Sequence, residues 1–159
     1  MTVKGIKVYL ASPLGFSREN DDYRERIKGR LRVLGCAVLD PWDREDVSEK
    51  FQAALSLPEG AQRSEAIGEA ARYAGQVNAD AIRESDLVLA VLDGTEPDSG
   101  TVAEVGFGAG IGKQCYGLRT DFRDCGDLPG LALNLQLQFF IEQSGGRLFR
   151  KIGEIDFGR

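Results

Sequence analysis

The 159-residue chain has no histidine. That absence removes the Ser-His and Cys-His nucleophile pairs and the commonest general base at neutral pH. Any chemistry must therefore come from carboxylates, Tyr, Lys, Arg, Cys or backbone groups. Cysteine is scarce. Cys36, Cys115 and Cys125 form an odd set without Cys-x-x-Cys spacing, which argues against a zinc centre or a disulfide framework. Cys36 and Cys115 lie in apolar strand-like runs and read as buried, inert thiols. No apolar run approaches the ~20 residues of a membrane span. Basic residues are in deficit, 20 Lys and Arg against 25 Asp and Glu, for a net charge of −5. This is the opposite of a nucleic-acid binder's footprint. Nucleotide-cofactor motifs are missing too. No GxxxxGK[ST] occurs, and "GFGAGIG" (106–112) follows a helix start rather than a strand, so the dinucleotide fingerprint fails in context. No cofactor, metal, nucleic acid or membrane is expected as a partner.

Hydrophobic residues make up 42% of the chain and charged residues 28%, enough for a packed core in a single domain spanning residues 1–159. The N-terminal apolar run is short and reads as a strand, not as a signal peptide, so a cytoplasmic location is the default. Ile6–Ala11, Cys36–Asp40, Asp86–Asp93 and 114–118 read as strands, with a short fifth at "RLFRKI". Between them run helical segments. One follows the N-cap Ser17, carries Tyr23, Ile27, Leu31 and Leu34 on one face and ends at Gly35. Another begins near Ser64. A small-residue helix starts around Gly100 and Thr101, and an amphipathic one covers "NLQLQFFIEQSG". Residues 42–60 give mixed signals, helical at "SEKFQAAL" and broken at "SLPEG". Alternating strands and helices predict an α/β fold, a doubly wound parallel sheet of about five strands with helices on both faces.

In such sheets ligands bind beyond the carboxyl ends of the strands. The residues following the strands are Ser12 to Phe16, Asp40 to Trp42, Asp93 to Thr101, and Arg119 to Arg123. Arg119, Asp121 and Arg123 read as a salt-bridge set in their loop. The segment "PDSGTVAEVGFGAG" (97–110) puts Glu104 in the first turn of its helix, where free N–H groups favour the ionised carboxylate by ~0.3–1 kcal/mol. Glu104 is then either an ordinary solvated helix acid or a reactive carboxylate. Asp98, in the preceding loop, either caps the helix or shares a proton with it. Gly106, Gly108 and Gly110 each cost up to ~1 kcal/mol in helix propensity, which makes sense where the helix packs closely on the sheet or another subunit.

The blocks "VYLASPLGF", "NADAIRESDLVLAVLDG", "DSGTVAEVGFGAG", "YGLRTDFR" and "NLQLQFFIEQSGG" together resemble the nucleoside 2-deoxyribosyltransferase family, in the family's order from about Val8 to Gly146. The resemblance implies a flavodoxin-like fold and transfer of 2-deoxyribose between nucleobases by double displacement. It puts the nucleophile on Glu104, the sugar-hydroxyl ligand on Asp98 and the Tyr that orients the nucleophile on Tyr9. It also implies that Asn134 binds the sugar 5′-hydroxyl in a neighbouring subunit, hence a homo-oligomer (dimer or trimer of dimers). The implied substrates are 2-deoxynucleosides and free nucleobases.

Where better-known members carry an Asp that handles the base and its proton, this chain has Asn78; Asp80, two residues on, is on another helical face. An amide hydrogen-bonds a base edge but is no general acid. Ser12 and Gly100 complete the expected substrate contacts. Phe16 and Trp42 either stack a base or lid the strand ends. Related hydrolases cleave 2-deoxynucleoside 5′-monophosphates with water as acceptor and typically have a Ser where this chain has Asp98. A carboxylate there repels a phosphate dianion and favours unphosphorylated nucleosides. A non-catalytic nucleoside sensor is the rival from another class.

Overall fold

The computed structural model describes residues 5–158. Five strands, β1 (Lys7–Ala11), β2 (Ala37–Leu39), β3 (Leu87–Val91), β4 (Gln114–Leu118) and β5 (Leu148–Phe149), form one sheet in the order β2-β1-β3-β4-β5. Every pairing is parallel. The order reverses direction between β1 and β3, and that switch point opens a crevice at the carboxyl edge. The expected doubly wound α/β architecture is therefore observed.

Five α-helices accompany the strands: α1 (Asp21–Val33), α2 (Glu45–Ser56), α3 (Ala61–Glu84), α4 (Ser99–Gly110) and α5 (Leu135–Gln143). The sheet is buried on both faces, as its nearly continuous apolar strands require. Val8, Leu10, Leu87 and Leu89 point to one side, where Ile27 and Leu31 of α1 and the C-terminal Ile155 and Phe157 cover them. Tyr9, Ala11, Val88 and Ala90 point to the other and meet Ile82 of α3, Val105 of α4 and Leu137 and Ile141 of α5. The period-2 alternation along β1 thus sends Tyr9 to the α3/α4 face, which carries the chemistry below.

Local signals explain most boundaries. Gly35, at φ 78°, ends α1 in a Schellman turn: its own N–H reaches the carbonyl of Arg32, and that of Cys36 reaches Leu31. The ambiguous 42–60 segment resolves into a 12-residue helix, α2, followed by Pro58. Helix α3 starts at Ala61, three residues before the expected Ser64, and runs 24 residues through Gly68 and Gly75. It packs along α2, and Tyr73 of α3 donates to Asp46 of α2 at 2.7 Å, tying the pair together. The glycines of α4 have separate explanations. A Cβ on Gly108 would lie 2.9 Å from Val88 Cγ2 and 3.2 Å from Cys115 Sγ, so close packing on the sheet requires glycine there. Gly106 faces Phe140 of α5 at ordinary contact distance, and Gly110 faces open space. Cys36 and Cys115 are buried, as expected. Among the described residues, no helix is long and apolar enough to cross a membrane.

Candidate active site

A cleft of about 590 Å³ lies beyond the carboxyl ends of β1 and β3. That volume suits a small organic ligand. Seven of the residues expected to bind or act on substrate line it: Ser12, Phe16, Trp42, Asn78, Asp98, Gly100 and Glu104. They come from four separate segments, the turns after β1 and β2, the middle of α3 and the start of α4, which only the fold brings together.

Glu104 is the centre. Tyr9 donates its hydroxyl to Glu104 Oε1 at 2.7 Å, across the gap between β1 and α4. Asn78 Nδ2, from the middle of α3, donates to the same oxygen over a longer 3.4 Å. Oε2 has no protein partner among the described residues. One oxygen is thus anchored and the other is available.

The expected position of Glu104 needs correction. Helix α4 begins at Ser99, with Asp98 as N-cap, so Glu104 lies in the second turn and no acid occupies the first. The terminal N–H groups that were to hold it ionised are too far along the chain, since their effect fades within the first turn. Burial, the largest influence, raises the Glu104 pKa. The Tyr9 hydrogen bond opposes this, the Asp98 charge adds to it, and the Asn78 hydrogen bond opposes it. Burial and the neighbouring Glu104 charge likewise push the Tyr9 hydroxyl far above its ordinary range, so it keeps its proton and acts only as a donor.

Asp98 is both cap and cleft residue. Its Oδ2 accepts from Thr101 N at 2.8 Å and Thr101 Oγ1 at 3.0 Å. Oδ1 has no protein partner among the described residues. Gly100 leaves room for this turn, since a Cβ there would stand 3.2 Å from Asp98 Oδ2.

The aromatic wall is built from the strand ends. Trp42 Nε1 donates to the Ser12 carbonyl at 2.8 Å, and its ring lies over Gly15, where a Cβ would fall 2.0 Å from ring carbon Cδ2. Phe16 meets Trp42 edge-on with centroids 4.6 Å apart and is 77% exposed. Buried Asp40 fixes the Trp42 turn, accepting from Trp42 N at 3.0 Å and from Arg24 Nε at 2.7 Å. Lys28 adds an ion pair to Asp43 at 2.6 Å. The hydroxyl of Ser12 is buried without a protein partner among the described residues, an orphan that a ligand in the cleft can satisfy.

One wall was missed in the sequence. Val47, Ser48, Phe51, Gln52 and Leu55 of α2 all face the cleft, with Arg44 at the helix start. Their spacing is helical, but Pro58 and the ambiguous 42–60 pattern hid it. Arg44 is itself engaged, by two bonds of 2.8 Å to Asp46.

Asn134 and Asp80 lie outside the cleft, and Arg119 has a different role from the one expected. Asn134 is exposed and caps α5, accepting from Gln136 N and Leu137 N and donating to Asp127 at 3.0 Å; it does not line the cleft of its own chain. Asp80 turns away from the cleft and pairs with Arg83. Arg119 does not join the expected salt-bridge set. It is fully buried, and its guanidinium donates to the carbonyls of Leu92, Gly94 and Arg123, pinning the loop after β3 to the loop after β4. Asp121 and Arg123 do pair.

A doubly wound α/β protein with a half-buried carboxylate in a cleft at the switch point describes a class of small-molecule enzyme. The comparisons specify it. The nucleoside 2-deoxyribosyltransferase family model matches residues 8–136, and the chain belongs to that family. It is an enzyme of this type, from a family that acts on nucleosides and nucleobases. No curated protein matches it in sequence.

Solved structures share its fold. A 2-deoxyribosyltransferase from Bacillus psychrosaccharolyticus is 21% identical, with TM-score 0.63 over 95% of this chain and 93% of that one. A 2-deoxyribosyltransferase from Leishmania mexicana is 24% identical, with TM-score 0.61 over 92% and 91%. A CMP N-glycosidase from Clostridium botulinum is 16% identical, with TM-score 0.52 over 93% and 92%.

The Tyr9–Glu104 contact makes a direct prediction. Tyr9→Phe removes a hydrogen bond to a charged group, an interaction of ~1.5–3 kcal/mol, or about 10- to 100-fold in rate. That bond lowers the Glu104 pKa, so its loss shifts the acid limb of the kcat/KM profile to higher pH. A Phe variant with an unchanged profile would show that Tyr9 is only a core aromatic.

Proposed function

We propose that this enzyme moves 2-deoxyribose from one nucleobase to another through a covalent ester on Glu104. The observation that carries the reading is the anchored Oε1 and unpartnered Oε2 of Glu104 in a cleft of nucleoside size. Glu104 Oε2 attacks C1′ of the donor, and the electron pair of the C1′–N bond leaves with the base. Tyr9 and Asn78 hold Oε1 and so aim the other oxygen. Asp98 Oδ1 accepts a sugar hydroxyl, while Ser12 and Gly100 border the sugar or base. Phe16 and Trp42 offer a stacking surface for the base. A second base then attacks C1′ from the face the first left. Two inversions give retention, as in retaining glycosidases.

The same intermediate could be taken by water, giving an N-glycosidase. The fold shared with the CMP N-glycosidase keeps that second reading in view. Asp98 weighs against a 5′-phosphate donor by charge repulsion. The protein is proposed to be a cytoplasmic homo-oligomer, with Asn134 at the start of α5, beside exposed Leu135 and Phe139, serving a neighbour's cleft.

Incubation with deoxyinosine, with and without adenine, tests the reading. Deoxyadenosine formed only when both are present supports transfer. Free deoxyribose in both arms, without deoxyadenosine, establishes hydrolysis instead. Binding with no turnover of any deoxynucleoside would leave only a sensor.

A further inference from the structure

We infer that the base departs from this site without a proton from the protein, so that the preferred donors are 2-deoxynucleosides of acidic bases. The inference rests on the deoxyribosyl reading above and concerns which donors that site can use.

It follows from the groups that surround the reacting atoms. The nearest neighbour of Glu104 from α3 is Asn78, an amide that donates hydrogen bonds but has no proton to transfer. Tyr9 donates to Glu104 and holds its proton tightly because it is buried beside that carboxylate. The α2 wall supplies apolar carbon, the Ser48 hydroxyl and the Gln52 amide. Arg44 remains charged and is paired with Asp46. The carboxylates lining the cleft, among the described residues, are Glu104 and Asp98. Glu104 must be ionised to attack. Asp98 is otherwise engaged: its Oδ2 accepts two hydrogen bonds from Thr101 at the start of α4, and its Oδ1 is the acceptor proposed for a sugar hydroxyl.

The step balances without an enzyme acid. A bond forms between Glu104 Oε2 and C1′, the C1′–N bond breaks, and its electron pair stays on the ring nitrogen. The base leaves as its anion, stabilised by neutral donors such as the Asn78 and Gln52 amides, and takes a proton from water after departure. Bases with an acidic ring N–H, such as hypoxanthine and uracil, then leave well. Cytosine, whose anion is far more basic, leaves poorly.

The test uses the full-length protein in single turnover with deoxyuridine, 5-fluorodeoxyuridine and 5-nitrodeoxyuridine, whose bases grow more acidic in that order. We expect base release to quicken by about 10- to 100-fold along the series, since no acid levels the leaving groups. The solvent deuterium isotope effect on that step should be about 1, as no proton is in flight. Release that is flat across the series, or an isotope effect of about 2 or more, would overturn the inference while leaving deoxyribosyl chemistry intact; the acid would then come from a neighbouring subunit. Release from none of the three, nor from deoxyinosine, would overturn the deoxyribosyl reading and this inference with it.

Discussion

Glu104→Gln is expected to lose deoxyribosyl turnover by on the order of 10⁴-fold or more while becoming more stable at neutral pH. The rate loss follows from removing the nucleophile, since an amide cannot form the ester and nothing else in the cleft replaces it. Intact mass of wild type quenched with donor alone should show a deoxyribosyl adduct, absent from the Gln variant. The stability gain follows from the direction of the pKa shift. Burial raises the Glu104 pKa above its unfolded value. Its favourable contribution is therefore complete below the unfolded pKa, ~4.3, and is lost as pH rises through the folded value. At neutral pH the folded state holds an ionised carboxylate in a poorly solvated place. Gln keeps the acceptor for Tyr9 and Asn78 without that charge. The Tm of the variant should exceed that of wild type at neutral pH, and the gap should close as pH falls towards about 4. A variant that loses activity and melts lower across the whole range would mean that Glu104 is a structural residue.

The conflict between stability and function at Glu104 also explains what could and could not be read from the sequence. The fold was legible because strands buried on both faces are written as unbroken apolar runs, such as Leu87 to Leu92, and helices as spaced ones, such as Tyr23, Ile27 and Leu31. Topology then brought the strand ends together, so Ser12, Trp42 and Asp98 could be assigned to one edge. The electrostatic environment of Glu104 was not legible. It depends on the cleft walls that half-bury its carboxylate and on the cap at Asp98, which leaves Glu104 beyond the first turn of α4. Helix ends are set by cap geometry, and the sequence left open whether Asp98 caps α4; the structure shows that it does. Arg119 failed for a related reason. An Arg two residues before Asp121 and four before Arg123 suggests ion pairing, yet its guanidinium serves three backbone carbonyls that no sequence pattern marks. The roles given to Tyr9 and Asn78 came through family resemblance, because neither residue's spacing to Glu104 carries information. Their meeting at Oε1 follows from β1 and α3 flanking α4 on one face of the sheet.

Asp98→Ala is expected to lower kcat/KM by roughly 10²- to 10⁴-fold and the Tm by ~2–4 °C, and the two effects are separable. Asp98 caps the helix that carries Glu104, and replacing such a cap with Ala costs ~1 kcal/mol. The proposed contact with the sugar hydroxyls adds one or two hydrogen bonds to a charged group at ~1.5–3 kcal/mol each. Asn caps about as well as Asp, so Asp98→Asn should keep the wild-type Tm. It should still lose most of the rate, because its carbonyl oxygen is a weaker partner for a hydroxyl than a carboxylate is. Removing this charge also removes one of the influences that raise the Glu104 pKa, so the acid limb of the kcat/KM profile should move to lower pH, opposite to the shift in Tyr9→Phe. These directions distinguish a sugar ligand from a cap. If Asp98→Asn restores both Tm and rate, Asp98 acts on catalysis only by starting α4. If Asp98→Ala melts lower yet turns over at the wild-type rate, the cleft's second carboxylate has no part in binding the sugar.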